Sequence, residues 1–345
     1  MSAGWRFSRD DSAWAPVEAE AAAPATPLTR PLRLATLNCL HDLKDADLLQ
    51  HDVRYAAICD ELRALDADVI GLNEVTPTLL ERLLAQPWVR AHYTASAVPE
   101  DCRCAHLSAV GGTTFGNLLL SRLAPTSVAY LEQPGDGRHA HVISLHLAPA
   151  QGGAPLHVAV CSAHLTACPW LMESRRKLQL AAISSALAAA TPALDVCVTM
   201  GDLNFHREAE SASIPDGWVE VPAVVALGPT WHFARNAMLP HYLPLRNLYN
   251  GLGLGTQLGW PSPMRLDRVL VRGDATHAAA LDRAASAATA RLFADQPIHE
   301  RARGRTPLPQ VGPELREAHR ALPWEEYLHP SDHFGIFVEL PFRPS

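Results

Sequence analysis

Six short stretches of the chain set polar side chains at the ends of apolar runs. Leu34-Ala-Thr-Leu37 runs into Asn38, and Val69-Ile-Gly-Leu-Asn73 runs into Glu74. Val158-Ala-Val-Cys-Ser-Ala163 leads to His164, and Val196-Cys-Val-Thr-Met200 leads to Gly201-Asp202-Leu203-Asn204. Leu266-Asp267-Arg268 stands ahead of Val269-Leu-Val271, and Ser331-Asp332-His333 ahead of Phe334-Gly-Ile-Phe-Val338. Carboxylates, amides and imidazoles are the groups that hold cations and move protons. An unpaired buried charge is costly, so polar groups at so many strand ends are expected to meet at a common rim, the candidate active site. Taken singly, each has a structural alternative. Asn38 suits a turn, Glu74 a cap on a helix starting near Thr76-Pro77, and His164 a hydrogen-bonded place in the core. Asp202 with Asn204 suits an Asx turn, and Asp332 with His333 a cap or loop pair. Six separate coincidences are the weaker account.

The elements that must carry these residues alternate short apolar runs with helical periods. Strands are expected at Leu34–Leu40, Val69–Leu72, Phe115–Ser121, Ser127–Tyr130, His141–Leu147, Leu156–Leu165, Val196–Met200, Arg268–Val271 and Phe334–Leu340. Helices are expected at Tyr55–Leu65, with Ile58, Leu62 and Leu65 on one face, at Thr78–Leu84 and at Met172–Ala189. Helices mixed with hairpin-like strand pairs point to an α/β protein with a mixed sheet or two packed sheets. Up to Pro31 there is no sustained apolar period, and Pro24, Pro27 and Pro31 among alanines predict a flexible leader over residues 1–31, followed by one domain over 32–345. A Pro- and Arg-rich stretch, Asp295–Pro309, interrupts the last third.

Composition narrows the function classes. At 345 residues and 48% hydrophobic the chain can bury a large core, yet no apolar run reaches the roughly 18 residues of a membrane span, so no membrane partner is expected. The N-terminus lacks the basic start and apolar block of a secretory signal. Seven cysteines at irregular spacing argue against a disulfide framework and for a reducing compartment, and the expected location is the cytoplasm. Cys102, Cys104 and His106 form a C-x-C-x-H cluster whose spacing is too tight for the usual zinc pairs, so a loop with free thiols is expected there. The net charge is −7 and Lys44 and Lys177 are the sole lysines, which excludes a general polyanion coat unless the arginines gather on one face.

The ordered series Thr36-Leu-Asn38, Gly71-Leu-Asn-Glu74, Ala163-His164-Leu165, Met200-Gly-Asp202-Leu-Asn204, Leu266-Asp267-Arg268 and Ser331-Asp332-His333 resembles the endonuclease/exonuclease/phosphatase superfamily over about residues 32–343. The resemblance implies a four-layered α/β sandwich with two packed, mostly antiparallel sheets and a site at one end of them. Thr230-Trp231, Arg265-Leu-Asp267-Arg268 and Ser331-Asp-His-Phe-Gly335 are most similar to its 5′-tyrosyl-DNA phosphodiesterase branch. Leu37, Asn73, Leu203 and Thr166-Ala167 depart from that branch, which has Trp, Gln, Thr and Glu-Ser there.

By this resemblance Mg²⁺ or Mn²⁺ is the cofactor, Glu74 its direct ligand, and Asn38 and Asp332 complete or orient its shell. Asp202 deprotonates the attacking water with help from Asn204. His333, oriented by Asp267, and His164 donate to the phosphate or leaving group. Trp231 is either a core residue or a stacking platform for substrate, and Arg235, Arg246, Arg265 and Arg268 are candidates for phosphate contacts. The expected partner is nucleic acid, a DNA end or single strand, or a small phosphoester, handled by a monomer. A nuclease, a deadenylase-like ribonuclease, an inositol or sugar phosphatase and a catalytically silent binding module are the competing functions.

Overall fold

A computed structural model describes residues 2–10, 12–18, 24–42, 46–99, 108–110, 113–135, 137–149, 154–168, 172–190, 192–243, 262–299 and 323–341. Sixteen strands among them are β1 (Ser2–Ser8), β2 (Ala13–Glu18), β3 (Thr26–Leu28), β4 (Leu32–Asn38), β5 (Val69–Val75), β6 (Thr94–Ala95), β7 (Ser108–Val110) and β8 (Thr113–Ser121), then β9 (Pro125–Glu132), β10 (His139–Pro149), β11 (Leu156–Ser162), β12 (Val196–Asp202), β13 (Val219–Glu220), β14 (Asp267–Gly273), β15 (Thr289–Phe293) and β16 (Gly335–Leu340). The helices are α1 (Ala46–Leu49), α2 (His51–Leu65), α3 (Pro77–Ala85), α4 (Pro87–His92), α5 (Glu173–Ala188), α6 (Pro222–Val225), α7 (Met238–Tyr242) and α8 (Ala278–Ser286).

The first sheet runs β15-β16-β4-β5-β8-β6-β1-β2, with β7 on β8; the second runs β13-β14-β12-β11-β10-β3, with β9 on β10. Most neighbours are antiparallel. The parallel pairs are β4 with β5, β11 with β12 and β10 with β3. The first two are βαβ units, with α2 and α5 as their crossovers.

Strand alternation explains the layering. Leu32 and Leu34 of β4, Val69 of β5 and Ile336 and Val338 of β16 meet Val158, Val160, Val198 and Met200 of the second sheet, forming the central core. The opposite faces of the same strands, Ala35, Leu37, Ile70 and Leu72, lie under Ile58 and Leu62 of α2 and Leu79 and Leu83 of α3. Ala159, Cys161 and Cys197 lie under Leu180, Ile183 and Leu187 of α5. Each central strand is buried on both faces, and each such Leu, Ile or Val contributes roughly 1.5–3 kcal/mol by leaving water. The result is the expected α/β sandwich of helices, two mixed and mostly antiparallel sheets, and helices again.

The stretch expected as a flexible leader instead carries three strands. β1 pairs with β2 and with β6, Trp5 and Trp14 pack on the core of the first sheet, and Arg90 lies over the Phe7 ring at 4.6 Å. β3 adds in parallel to β10. Aromatics every few residues supply burial that the alanines and prolines around them obscure. β11 stops at Ser162 rather than Leu165, which leaves His164 on the following loop. The Cys102, Cys104 and His106 cluster and most of the Asp295–Pro309 stretch lie outside the described residues. No described helix is long and apolar enough to cross a membrane.

Candidate active site

β4, β5, β12 and β14 all end, or in β14's case begin, at one rim of the sandwich, and their polar ends meet there. Asn38 closes β4, and its Nδ2 donates to Glu74 Oε1 and to Asp202 Oδ2, 3.0 Å each, joining the first sheet to the second. Its Oδ1 accepts from the Leu40 amide at 3.0 Å. Glu74 sits at a register shift between Leu72 and Val75, with φ +55°. That left-handed backbone, unusual away from glycine, marks the break in pleat at which the carboxylate leaves the strand.

Asp202 is fixed from three sides. Its backbone N–H donates to Asn73 Oδ1 at 2.9 Å, and its Oδ1 accepts from the Asn204 amide at 2.8 Å, while Asn38 holds Oδ2. Asn73 also donates to Asn117 Oδ1 at 2.7 Å and Ser162 Oγ at 3.3 Å, so one amide side chain bridges the two sheets directly behind the site. Gly201, before Asp202, has φ +134°, and a Cβ there would stand 2.1 Å from the Ala163 carbonyl oxygen. This is a position that demands glycine. Asn204, at φ +52°, donates from Nδ2 to the Leu165 carbonyl at 3.0 Å and so locks the His164 loop to the loop after β12.

The histidines complete the rim. His164 Nε2 lies 3.6 Å from Asp202 Oδ2 and 3.9 Å from Glu74 Oε1. His333 Nδ1 is 2.8 Å from Asp267 Oδ2, and its Nε2 is 3.9 Å from Asp202 Oδ2. Asp267 is fully buried and its backbone N–H is held by Thr230 Oγ1 at 3.1 Å.

These surroundings set the charges. Burial alone would raise the Glu74 carboxyl, but His41, His164 and Asn38 outweigh it and hold the group well below the usual carboxylate range. Burial pushes Asp202 up to about 7, with His333 and Asn38 opposing and Asp267 adding to the rise. Burial pushes His164 down to about 3, reinforced by the Arg138 cation, so its imidazole is neutral. Burial also works against a charged His333, yet Asp267, Asp332 and Asp202 raise it well above an ordinary histidine.

Ligand atoms of Glu74, His164 and Asp202 all lie within 4.8 Å of one another. The donor set suits a hard divalent cation: two carboxylates converge on one amide, and they are the strongest anionic ligands for Mg²⁺ or Mn²⁺. Asn38 turns its nitrogen to these carboxylates and so orients them. Asp332 stands outside this triplet. Its Oδ2 accepts from Trp231 Nε1 at 3.4 Å, and its Oδ1 is 3.4 Å from Ser331 Oγ.

Other predicted residues sit deeper. Trp231 is 2% exposed and packs edge-on to Phe233, with centroids 4.9 Å apart, in a small cluster with Leu239, Met264 and Leu266. Arg265 and Arg268 form an ion-pair network with Glu208 and Glu220, with Arg268 Nη1 to Glu220 Oε2 at 2.9 Å. Arg235 lies over the Phe334 ring at 4.8 Å and 3.4 Å from Asp295. Arg246 lies outside the described residues. The sequence reading missed His41, whose backbone N–H donates to Glu74 Oε2 at 3.0 Å, whose Nδ1 contacts the same oxygen, and whose ring stacks on Phe115 at 4.3 Å. It also missed Arg138, whose charge acts on His164. Neither belongs to a motif; Asn73, two-sheet bridge and neighbour of Glu74, was visible as a departure from the branch pattern.

No curated protein sequence matches the chain. Solved structures do match in fold: truncated TDP2 from Caenorhabditis elegans at 18% identity and TM-score 0.54, covering 90% of this chain and 96% of that one. TDP2 from D. rerio, complexed with single-strand DNA product, matches at 16% identity and TM-score 0.54, covering 90% and 98%. The human Nocturnin catalytic domain with bound sulfate matches at 15% and 0.51, covering 91% and 95%. At these identities the likeness is one of fold. The sequence pattern described as Endonuclease/Exonuclease/phosphatase family matches residues 35–333, from within β4 to His333, and so takes in the whole rim. With that pattern spanning most of its length, the chain belongs to the endonuclease/exonuclease/phosphatase family.

Proposed function

We propose that the protein is a Mg²⁺-dependent phosphodiesterase that acts at DNA 5′ ends, as a 5′-tyrosyl-DNA phosphodiesterase does. The observation that carries the chemistry is the meeting of Asn38, Glu74, His164, Asp202, Asn204, Asp267 and His333 at one rim with opposed charges.

Glu74, with Asp202 and Asn38 alongside and Asp332 nearby, would hold the divalent cation, whose chemistry there is neutralising charge that builds on the phosphoryl oxygens. Asp202 takes the proton of the attacking water. Its burial, which raises the carboxyl above the ordinary range, favours uptake of that proton. Asn204 keeps the Asp202 carboxylate aligned through its backbone N–H. His333, cationic and held by Asp267 through Nδ1, presents Nε2 to a phosphoryl oxygen, as a carboxylate-oriented histidine does in other hydrolases. His164, neutral, offers a further hydrogen bond to the phosphate or leaving oxygen. The product is a phosphate monoester.

The substrate assignment is supported by the resemblance of Thr230-Trp231, Arg265–Arg268 and Ser331–Gly335 to the tyrosyl branch, and by the D. rerio TDP2 fold relative that holds a single-strand DNA product. The test is hydrolysis of a single-stranded oligonucleotide with a 5′-phosphotyrosyl end in Mg²⁺ and in EDTA, beside an unmodified duplex, an abasic duplex and a phosphomonoester. Tyrosine release in Mg²⁺ alone, with the strand intact, is the expected result. Preference for another substrate overturns the DNA-end assignment while keeping the site, and no hydrolysis of any substrate overturns both.

A further inference from the structure

The two crossover helices bury an arginine at the same place. Arg54 is the fourth residue of α2 and Arg176 the fourth of α5, and both side chains are fully buried. In each case the guanidinium reaches past its helix to the loops at the active rim.

Arg54 donates from Nε to the Leu49 carbonyl at 3.1 Å, from Nη1 to the carbonyls of Cys39 at 3.0 Å and Pro330 at 2.9 Å, and from Nη2 to the Leu40 carbonyl at 3.0 Å. The remaining N–H meets His51 Nδ1 at 3.2 Å. Cys39 and Leu40 follow Asn38, and Pro330 lies two residues before Asp332. One planar fork therefore ties the loop after β4 to the loop before β16, and Ser331 Oγ, bonded to the Asn38 carbonyl, ties them a second time. Among the described residues, no carboxylate hydrogen-bonds this guanidinium. Its charge faces Asp332 and Asp42 at longer range.

Arg176 does the parallel work on the second sheet with a different partner. Its Nη1 donates to the carbonyls of Thr166 at 3.2 Å and Cys168 at 2.6 Å, on the His164 loop. Its Nε and Nη2 meet Glu210 Oε2 at 2.8 and 2.6 Å. Glu210 Oε1 in turn accepts from the His206 amide at 3.0 Å, and His206 Nδ1 is 2.7 Å from the Asn204 carbonyl oxygen.

We propose that Arg54 and Arg176 are positioning residues that hold complementary loops of one cation and phosphate site: Arg54 fixes the loops that carry Asn38, Asp332 and His333, and Arg176 the loops that carry His164 and Asn204. A guanidinium is suited to this because its five donors lie in one rigid plane, which a lysine cannot reproduce. The proposal rests on the metal-dependent reading above.

The test is calorimetric titration of the full chain with Mn²⁺, and separately with inorganic phosphate, for wild type, Arg54→Lys and Arg176→Lys, with thermal unfolding recorded for each. Groups that orient metal ligands typically contribute 10- to 100-fold in affinity. Arg54→Lys is expected to weaken Mn²⁺ about 10-fold or more and to regain turnover as Mn²⁺ is raised. Arg176→Lys is expected to weaken Mn²⁺ as well, through the loops of His164 and Asn204, and to lose phosphate affinity with it. Ser331→Ala, which cuts the second tie between the same loops, should shift Mn²⁺ affinity in the direction of Arg54→Lys, and it serves as the test if the arginine variant does not fold. Unchanged Mn²⁺ affinity in the folded Arg54→Lys and Ser331→Ala proteins, or unchanged Mn²⁺ and phosphate affinity in the folded Arg176→Lys protein, overturns the proposal. A wild type that binds no Mn²⁺ overturns the metal-dependent reading itself, a result distinct from either.

Discussion

Asp202 and His333 stand 3.9 Å apart and both are shifted upward, the carboxyl by burial and the imidazole, against burial, by Asp267, Asp332 and Asp202. A carboxyl raised by burial suits a base, and an imidazole kept protonated by its carboxylate neighbours suits a donor. Asp202→Asn and His333→Ala are each expected to lower kcat by about 10²- to 10⁴-fold with the fold intact, measured on whichever substrate the wild type hydrolyses. Turnover within a few-fold of wild type in either variant would remove that residue from the mechanism. These two were legible in the sequence because each ends or precedes an apolar run where a charge has no structural use. His41 was not: it follows Asn38 by three residues in a loop, and its contact with Glu74 arises when β4 and β5, distant in sequence by a whole helix, pair in parallel. Arg54 and Arg176 were hidden for the opposite reason. An arginine on an amphipathic helix reads as a solvated side chain, and its burial depends on loops far along the chain.

At the scale of elements, the strand ends do the positioning, and the backbone at those ends is constrained. Gly201 shows this best. Its positive φ and the 2.1 Å approach of a Cβ to the Ala163 carbonyl leave no room for a side chain, and the crowding atom belongs to backbone. Gly201→Ala is expected to cost about 3 kcal/mol or more in urea unfolding and to reduce activity beyond that, since relief requires moving Ala163 away from β12 and His164 with it. A variant as stable and active as wild type would show that the loop has slack the geometry does not display. The interiors of the central strands were readable from apolar runs such as Val196–Met200, and α2, α3 and α5 were found within one or two residues at most boundaries other than the first turn of α2. The first two strands were not readable, because their burial comes from widely spaced aromatics, Trp5, Phe7 and Trp14, rather than from a run. Sheet order was equally out of reach, since pairing of β16 with β4 joins residues about three hundred positions apart.

For the molecule as a whole, acid sensitivity has an identifiable source in a buried histidine of the loop before β16. His329 is 1% exposed, its Nδ1 has no hydrogen-bond partner among the described residues, and burial pushes its pKa down to about 3. Between that value and the ordinary 6.5 the unfolded chain takes up a proton that the folded chain refuses, so stability falls as pH drops through this window. Going from pH 7 to pH 5 should cost about 2 kcal/mol through this residue, and His329→Leu should recover that difference in urea titrations at the two pH values. An unchanged pH dependence in the variant would place the acid sensitivity elsewhere. A last feature concerns how two large sheets remain separate from their neighbours. β2 and β3 stand at ends of their sheets' strand orders, and each contains a proline, Pro16 and Pro27. Proline has no N–H to offer an incoming strand. β13, at another end, is two residues long and runs into Pro222. Pro27, which in the sequence marks an expected flexible leader, and Pro16 thus leave these end strands with one N–H fewer to offer an added strand.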